Sequence, residues 1–436
     1  MPIQQGERWP PAKCWDVPVV PHSTAADSAR TMPGQDAVFI LASSQAARAR
    51  GPGFVRGGEV GEPDSRDVSD LVAPARDNPG FGAAGAPAPD TMTFTVTLHP
   101  AERAFDVARD ETILSAAIRA GVGLPYGCRD GACGSCKSRL RDGRVIHGAH
   151  QPKALSAQEE ADGLILTCCA TPQTDCVVEA RTVVGAGEYP ISKMPGRVLS
   201  LERPAADVAI VRVQLPATAP FRYRAGQYVE FILRDGARRS YSMANAPHNL
   251  GTPASIELHL RHMPGGKFTD HVFGAMKEKD ILRMEGPFGS FFLREESDKP
   301  IVLLASGTGF APIKALIEQL HHLGSIRPVR LYWGARRKAD LYLADWMATA
   351  RELLPQLAFV PVLSEPAAED AWTGRTGLVH QAVMADLPDL SGYQVYACGA
   401  PVMVASAQRD FVAQCGLPDD EFHADSFTSE ADKHGA

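Results

Sequence analysis

The sequence predicts a multidomain chain: a small α+β unit, then an antiparallel β-barrel, then a parallel α/β unit. Three observations predict it. From Met92 to about Val184, short strands and one helix surround a cysteine-rich loop. From about Met194 to Asp298, strand-length runs follow one another. From Lys299 onward, strands alternate with helices, the pattern of a parallel sheet with helices on its faces. The expected divisions are 91–184, 194–298 and 299–436, with a short connection at 185–193.

The 436 residues are 44% hydrophobic and 22% charged, enough apolar material for several cores. A net charge of −7 carries no footprint for nucleic acid or an anionic membrane, so neither is an expected partner. No apolar run approaches the roughly 18 residues of a membrane helix; Val38–Ala42 and Ile301–Ala305 are only strand-length. Met1–Pro10 lacks a basic start followed by an apolar core, which points to the cytoplasm, where free thiols persist. Roughly a quarter of residues 1–90 are Pro or Gly, a composition that predicts a disordered extension. Met92 then opens a clean strand, so a true start at Met92 is the alternative reading of that contrast.

After the strand Met92–His99, Glu111–Ala120 carries apolar residues at helical spacing, and Gly121 sits where the helix would end. Residues 124–137 then read Leu-Pro-Tyr-Gly-Cys-Arg-Asp-Gly-Ala-Cys-Gly-Ser-Cys-Lys. Cys128, Cys133 and Cys136 have the C-x₄-C-x₂-C spacing of a 2Fe–2S loop, which needs a fourth thiolate further on. Soft, anionic sulfur suits iron–sulfur clusters. Gly127, Gly131, Ala132 and Gly134 are small enough to let the backbone wrap closely and aim amides at the sulfurs. The fourth ligand is expected after the strand Leu164–Leu166, at Cys168 or Cys169; if the strand continues through both, alternation sends them to opposite faces. Zinc is the competing reading, although structural zinc favours two short C-x₂₋₄-C pairs. Cys176 reads as a small core residue, and Cys14, Cys398 and Cys415 stand alone.

The runs Val198–Leu201, Ala209–Gln214, Tyr228–Leu233, Ile256–Arg261 and Ile281–Glu285 predict the barrel. Three further runs lie along it: Arg239-Ser-Tyr-Ser-Met-Ala-Asn245, Met263-Pro-Gly-Gly-Lys-Phe-Thr269 and Gly286-Pro-Phe-Gly289. In the last unit, Ile301–Ala305 is a buried strand followed by Ser306-Gly-Thr-Gly-Phe-Ala-Pro312 and a helix. Gly307, Thr308 and Gly309 make a turn that a phosphate can approach, facing a helix N-terminus with unpaired N–H groups. Two glycines alone also suit a generic strand–helix turn. Val329–Trp333, Leu357–Leu363 and Gln394–Ala397 are further strands. Arg336, Arg337 and Lys338 could neutralise a nucleotide 2′-phosphate or form a solvated charge run.

The segment from Met92 to about Val184 resembles plant-type ferredoxin domains. That implies a β-grasp fold and a 2Fe–2S cluster on Cys128, Cys133, Cys136 and Cys168, with Cys169 replacing a Gln frequent in the oxygenase-reductase branch. The three barrel runs together resemble the flavin domain of ferredoxin–NAD(P)H reductases. The resemblance implies FAD, with Arg239 on its pyrophosphate, Tyr241 stacked on the isoalloxazine, Ser242 hydrogen-bonded near the reactive nitrogen, and Gly265, Gly266 and Thr269 at the phosphates. The last unit resembles the nicotinamide domain of the same family through Tyr332–Arg336, Asp340–Tyr342 and Tyr396-Ala-Cys-Gly-Ala-Pro401. There Cys398, with Gly399, would sit beside the nicotinamide, and Phe422–Phe427 would lie near the flavin face.

The three units in this order resemble the reductase components of multicomponent oxygenases, and most closely the CDP-6-deoxy-Δ3,4-glucoseen reductase group. Gly123–Cys128, Cys168–Pro172 and Phe427–Lys433 carry the latter resemblance. It implies an NAD(P)H-dependent electron-transfer reductase, with NADH favoured and NADPH possible. Its partner would be a deoxysugar dehydrase or an oxygenase component. The rival outside the enzyme class is an electron carrier or metal scaffold with a dead flavin site.

Overall fold

A computed structural model describes residues 92–218 and 220–434. The expected extension over 1–90 and the strand-length run Val38–Ala42 lie outside the described residues, as does Cys14.

The first sheet is built from β1 (Thr93–His99), β2 (Arg103–Ala108), β3 (Lys137–Asp142), β5 (Leu164–Leu166) and β7 (Cys176–Glu179), in the order β2-β1-β7-β3-β5. β1 pairs antiparallel with β2 and parallel with β7, the β-grasp arrangement. Alternation sends Val96, Leu98, Phe105 and Val107 inward. They meet Ile113, Leu114, Ala116 and Ala117 of α1 (Ile113–Arg119), which Thr112 caps and Gly121, at φ +65°, stops. β4 (Val145–His147) and β6 (Ala170–Pro172) form a separate ladder at the tip, and α2 (Ala157–Ala161) precedes β5.

The barrel comprises β8 (Ser192–Ala205), β9 (Val208–Gln214), β10 (Tyr228–Ile232), β11 (Arg238–Ser242), β12 (Ser255–Arg261) and β13 (Ile281–Phe288), every pairing antiparallel. A bridge from Met243 to Leu258 joins its two edges. Val198–Leu201 is the middle of a 14-residue strand. Pro195 and Gly196 hide its start from a propensity reading, and two register shifts bend its far end. α3 (Lys267–Gly274) follows β12.

The last sheet is wholly parallel: β14 (Ile301–Ser306), β15 (Val329–Ala335), β16 (Leu357–Leu363), β17 (Arg375–Thr376), β18 (Gln394–Gly399) and β19 (Phe422–Ser426), ordered β17-β16-β15-β14-β18-β19. Helices α4 (Phe310–His322), α5 (Trp346–Leu353), α6 (Val379–Asp386) and α7 (Pro401–Cys415) connect its strands, and α8 (Glu430–His434) ends the described chain. The strand order reverses between β14 and β18, so their carboxyl ends open the crevice where α/β sheets bind ligands. Phe422–Ser426, expected only as a tail segment, is an edge strand beside β18. Among the described residues no helix is long and apolar enough to cross a membrane.

A buried polar network locks the barrel to α4. Lys314 Nζ lies 2.6 Å from Glu318 and 3.3 Å from Glu257. Glu318 accepts from the Ala246 amide at 2.9 Å, and His259 bridges Glu257 and the Tyr342 hydroxyl at 2.9 and 2.8 Å. Pairing and full hydrogen bonding are what make such buried charge tolerable.

Candidate active site

The cysteine loop is anchored on the barrel. The Tyr228 hydroxyl donates to the Gly127 carbonyl at 2.8 Å, Ser290 Oγ accepts from the Tyr126 amide at 2.9 Å, and Arg129 lies 4.2 Å over the Phe288 ring. Gly131 and Gly134, at φ +76° and +80°, give the loop its reversals.

The thiols come in two pairs. The Cys128 amide donates to Cys133 Sγ at 3.5 Å, and Cys136 Sγ lies 3.3 Å from Cys168 Sγ. A hydrogen bond from Cys128 holds the Cys133 thiol down, at about 6, against the effect of burial. Hydrogen bonding to Cys136 and then Cys169, with burial, pushes Cys168 up. Among the described residues, no three His, Cys, Asp or Glu side chains converge on a single point. A structural zinc site needs four donors around one ion, whereas a 2Fe–2S centre needs two donors on each iron. Two pairs with soft sulfur fit the latter.

Cys168 and Cys169 occupy a turn between β5 and β6, so strand alternation does not separate them, and their sulfurs are 3.5 Å apart. Cys168 is the one that meets Cys136. Cys176 is buried in the core under β1 and β7, and the eight described cysteines are free thiols.

One cavity of about 990 Å³ gathers most of the remaining candidates: Arg239, Tyr241, Ser242, Gly265, Gly266, Thr269, Gly307, Thr308 and Gly399, with Cys128 at one end. β11 supplies Arg239, Tyr241 and Ser242; Tyr241 rests against Phe268, 5.3 Å between ring centres. Gly265, at φ +81°, faces open space, and Thr269 Oγ1 braces this loop by donating to the Met263 carbonyl at 3.0 Å. Gly307–Gly309 form one tight turn before α4, pinned by a 3.0 Å hydrogen bond from Trp333 Nε1 to the Gly307 carbonyl. Gly309 and Cys398 do not line the cavity but back it. A Cβ at Gly309 would stand 2.2 Å from the Cys398 carbonyl oxygen, and Cys398 is fully buried.

Three features escape the sequence. Asp425 of β19 accepts a 2.8 Å hydrogen bond from Ser242 Oγ and lies 4.0 Å from Cys398 Sγ, linking residues from both units. Burial raises its carboxyl to about 6, with the Ser242 hydrogen bond acting the other way. The only signal was an acid inside an apolar terminal run. Arg261 ends β12 with its guanidinium 3.6 Å from where a Gly307 Cβ would be. Its Nε and Nη2 are buried without hydrogen bonds, the nearest carboxylate being Asp207 at 3.5 Å. Finally, α8 crosses from barrel to cysteine loop: Glu430 pairs with Arg239 at 3.3 Å, Asp432 with Lys153 at 2.8 Å and Lys433 with Asp130 at 2.6 Å. Of the basic run, Arg336 reaches the cavity, 3.6 Å from Asp340, while Arg337 pairs with Glu369 at 3.2 Å.

Family models match three successive stretches: the 2Fe-2S iron-sulfur cluster binding domain over 96–173, the oxidoreductase FAD-binding domain over 195–293 and the oxidoreductase NAD-binding domain over 303–409. The chain is 40% identical over 338 residues to the CDP-6-deoxy-L-threo-D-glycero-4-hexulose-3-dehydrase reductase of Yersinia pseudotuberculosis, covering 77% of this chain and 99% of that one. It is 35% identical over 350 residues to a terephthalate 1,2-dioxygenase reductase component of Comamonas, covering 79% and 100%. The crystal structure of the Amycolatopsis cytochrome P450 reductase GcoB superposes with a TM-score of 0.64 at 34% identity, covering 77% and 99%. The chain is thus an electron-transfer oxidoreductase with NAD-, FAD- and 2Fe–2S-binding domains. It belongs to the family of iron–sulfur flavoprotein reductases that join a 2Fe–2S ferredoxin domain to FAD-binding and NAD-binding domains.

Proposed function

We propose that this chain is the NADH-dependent reductase partner of a dehydrase acting on a CDP-linked deoxyhexulose, divided functionally at 91–184, 194–298 and 299–436. The observation that carries the choice of partner is 40% identity to a hexulose-dehydrase reductase, against 33–35% for reductase components of dioxygenases and a monooxygenase. The test is to mix the purified enzyme and NADH with a dehydrase–substrate pair or with a terminal oxygenase, and follow turnover of each. Turnover by the oxygenase alone would reassign the chain to the oxygenase reductases. Free thiols throughout the described residues suit a reducing compartment, so we place the enzyme in the cytoplasm.

Bound FAD would supply two-electron hydride chemistry, and a bound 2Fe–2S cluster would supply one-electron chemistry. The protein's residues hold and orient. Cys128, Cys133, Cys136 and Cys168 supply the thiolates. Arg239 offers a planar fork to the FAD pyrophosphate, with Gly265, Gly266 and Thr269 at its phosphates. Tyr241 would pack on the isoalloxazine, and Ser242 Oγ would hydrogen-bond near its reactive edge. Gly307 and Thr308, with Gly309 backing them, would receive the nicotinamide nucleotide's phosphates, and Cys398, from behind, and Gly399 would set the nicotinamide's position. Asp425 holds the Ser242 hydroxyl through its 2.8 Å hydrogen bond. Asp340 and Arg336 both line the cavity, 3.6 Å apart, and an acid there suits a ribose 2′-hydroxyl, which supports NADH over NADPH.

Arg261 completes the nucleotide site, because its unbonded Nη2 lies 3.6 Å from where a Gly307 Cβ would be, while Nε faces Asp207. Charge-assisted hydrogen bonds contribute about 1.5–3 kcal/mol, so Arg261→Gln is expected to weaken NAD⁺ binding roughly 10- to 100-fold. AMP, which lacks a pyrophosphate, should bind both proteins alike in calorimetry. Equal loss for both ligands would place Arg261 elsewhere in the site.

Asp425 gives the enzyme a pH signature. Its carboxyl is raised from 3.8 to about 6 in the fold. A raised acid favours the folded state only while protonated, so this stability is present below about pH 4 and lost as pH rises through about 6. At about 1.4 kcal/mol per unit the loss amounts to roughly 3 kcal/mol. Asp425→Asn should therefore gain several degrees of melting temperature over the wild type between pH 4 and 8. A difference that stays flat across that range would show that Asp425 does not titrate there.

A further inference from the structure

A 2Fe–2S centre uses four thiolates, yet a fifth cysteine stands against the Cys136–Cys168 pair. The fifth, Cys169, is close to the others and loosely engaged. Its sulfur lies 3.5 Å from that of Cys168, which lies 3.3 Å from that of Cys136. Two thiolates on one tetrahedral metal, with bonds of about 2.3 Å, sit about 3.8 Å apart. Cys169 is therefore as near to its neighbour as a co-ligand would be. Its backbone is pinned: the amide donates to the Leu166 carbonyl at 2.9 Å, and the carbonyl accepts from Gly148 at 2.8 Å. Its thiol is not pinned, since its other partner is the Ala149 carbonyl at 3.5 Å, and S–H is a weak donor. Gly131 leaves the thiol room, because a Cβ there would stand 2.8 Å from Cys169 Sγ.

We infer that Cys169 is a reserve iron ligand, able to take the coordination position of Cys168. The inference rests on the reading of Cys128, Cys133, Cys136 and Cys168 as the cluster ligands. The exchange is a ligand substitution without electron transfer. The iron–sulfur bond to Cys168 breaks and that sulfur takes a proton from solvent, while the Cys169 S–H bond breaks, its proton passes to solvent and its sulfur bonds the same iron; in Cys168→Ala only the second half occurs, as the cluster assembles. Cys136 remains in place, and both irons keep their oxidation states. The doubled cysteine thus gives one iron a spare ligand and leaves the other, on Cys128 and Cys133, with none.

The test compares Cys168→Ala, Cys169→Ala and the double variant, each prepared anaerobically with FAD. The readouts are iron and acid-labile sulfide per chain and the electron paramagnetic resonance spectrum of the reduced protein. Cys169→Ala should match the wild type. Cys168→Ala should hold iron and sulfide at the wild-type level with shifted resonance positions. The double variant should lose the cluster, about 10- to 100-fold in content. Bleaching of the bound flavin by NADH in each variant shows that the rest of the protein is folded. Cys168→Ala as empty as the double variant would overturn the inference, and so would a double variant as full as Cys168→Ala. Wild-type protein without iron or sulfide would instead overturn the assignment of the four ligands.

Discussion

Replacing Cys133 with Ala should separate the two halves of the reaction. NADH oxidation by a two-electron acceptor such as a quinone is expected to persist near the wild-type rate, while cytochrome c reduction falls by about 100-fold or more. The scale follows from metal sites in which loss of an outer-shell partner alone costs about 10- to 100-fold, so loss of a ligand costs at least as much. Cys133 suits this test better than Cys136 or Cys168. Those two belong to the apolar core under the first sheet, so their removal would add a packing loss, and Cys168 has Cys169 beside it to take its place. Cys133 lies outside that core, with its sulfur within 3.5 Å of the Cys128 amide and 3.4 Å of Ser135 Oγ. The barrel and parallel sheet, with the cavity they line, should keep their flavin and nucleotide affinity. Cytochrome c reduction at the wild-type rate, in protein shown to lack iron, would mean that electrons leave the enzyme without the cluster.

The contrast between these cysteines and Asp425 shows what a sequence can carry. Cys128, Cys133 and Cys136 lie within nine consecutive positions, so their spacing in the chain is nearly their spacing in space. The glycine turn at Gly307–Gly309 and the Arg239–Ser242 strand are equally local, and each could be read before folding. Asp425 and Ser242 are 183 positions apart and meet only because β19 docks beside β18 at the barrel's edge. Arg261 likewise looks like an ordinary strand end until the last sheet brings Gly307 against it. The choice between Cys168 and Cys169 turned on a pleat that is not there: the chain reverses through Thr167–Cys169, and a three-residue apolar strand gives no warning of that. The length of β8 was hidden for a related reason, since Pro195 and Gly196 argue against a strand locally while pairing with β13 imposes one.

The glycine turn also sets the second large effect. At Gly309 a Cβ would stand 2.2 Å from the Cys398 carbonyl oxygen, 2.5 Å from its carbon and 2.8 Å from Gly399 Cα. These are backbone atoms at the end of a central strand, and no side chain can swing aside to relieve the contact. Gly309→Ala must therefore push the turn away from β18, or β18 away from the turn. Either movement displaces Gly399 at the cavity wall and the Cys398–Asp425–Ser242 chain behind it. Overpacking a well-ordered site costs about 1–3 kcal/mol, so NADH affinity should fall roughly 5- to 150-fold. Iron content should stay at the wild-type level, because none of the atoms crowding the new Cβ belongs to the cysteine loop. Gly274→Ala is the matched control: nothing lies within 4 Å of its Cβ, it sits in α3, and it should leave nucleotide binding unchanged. In helix interiors the same exchange gains up to about 1 kcal/mol, so any change in melting temperature should be upward. Equal NADH affinity in the Gly309→Ala and Gly274→Ala proteins would show that the switch-point turn has slack that its backbone contacts deny.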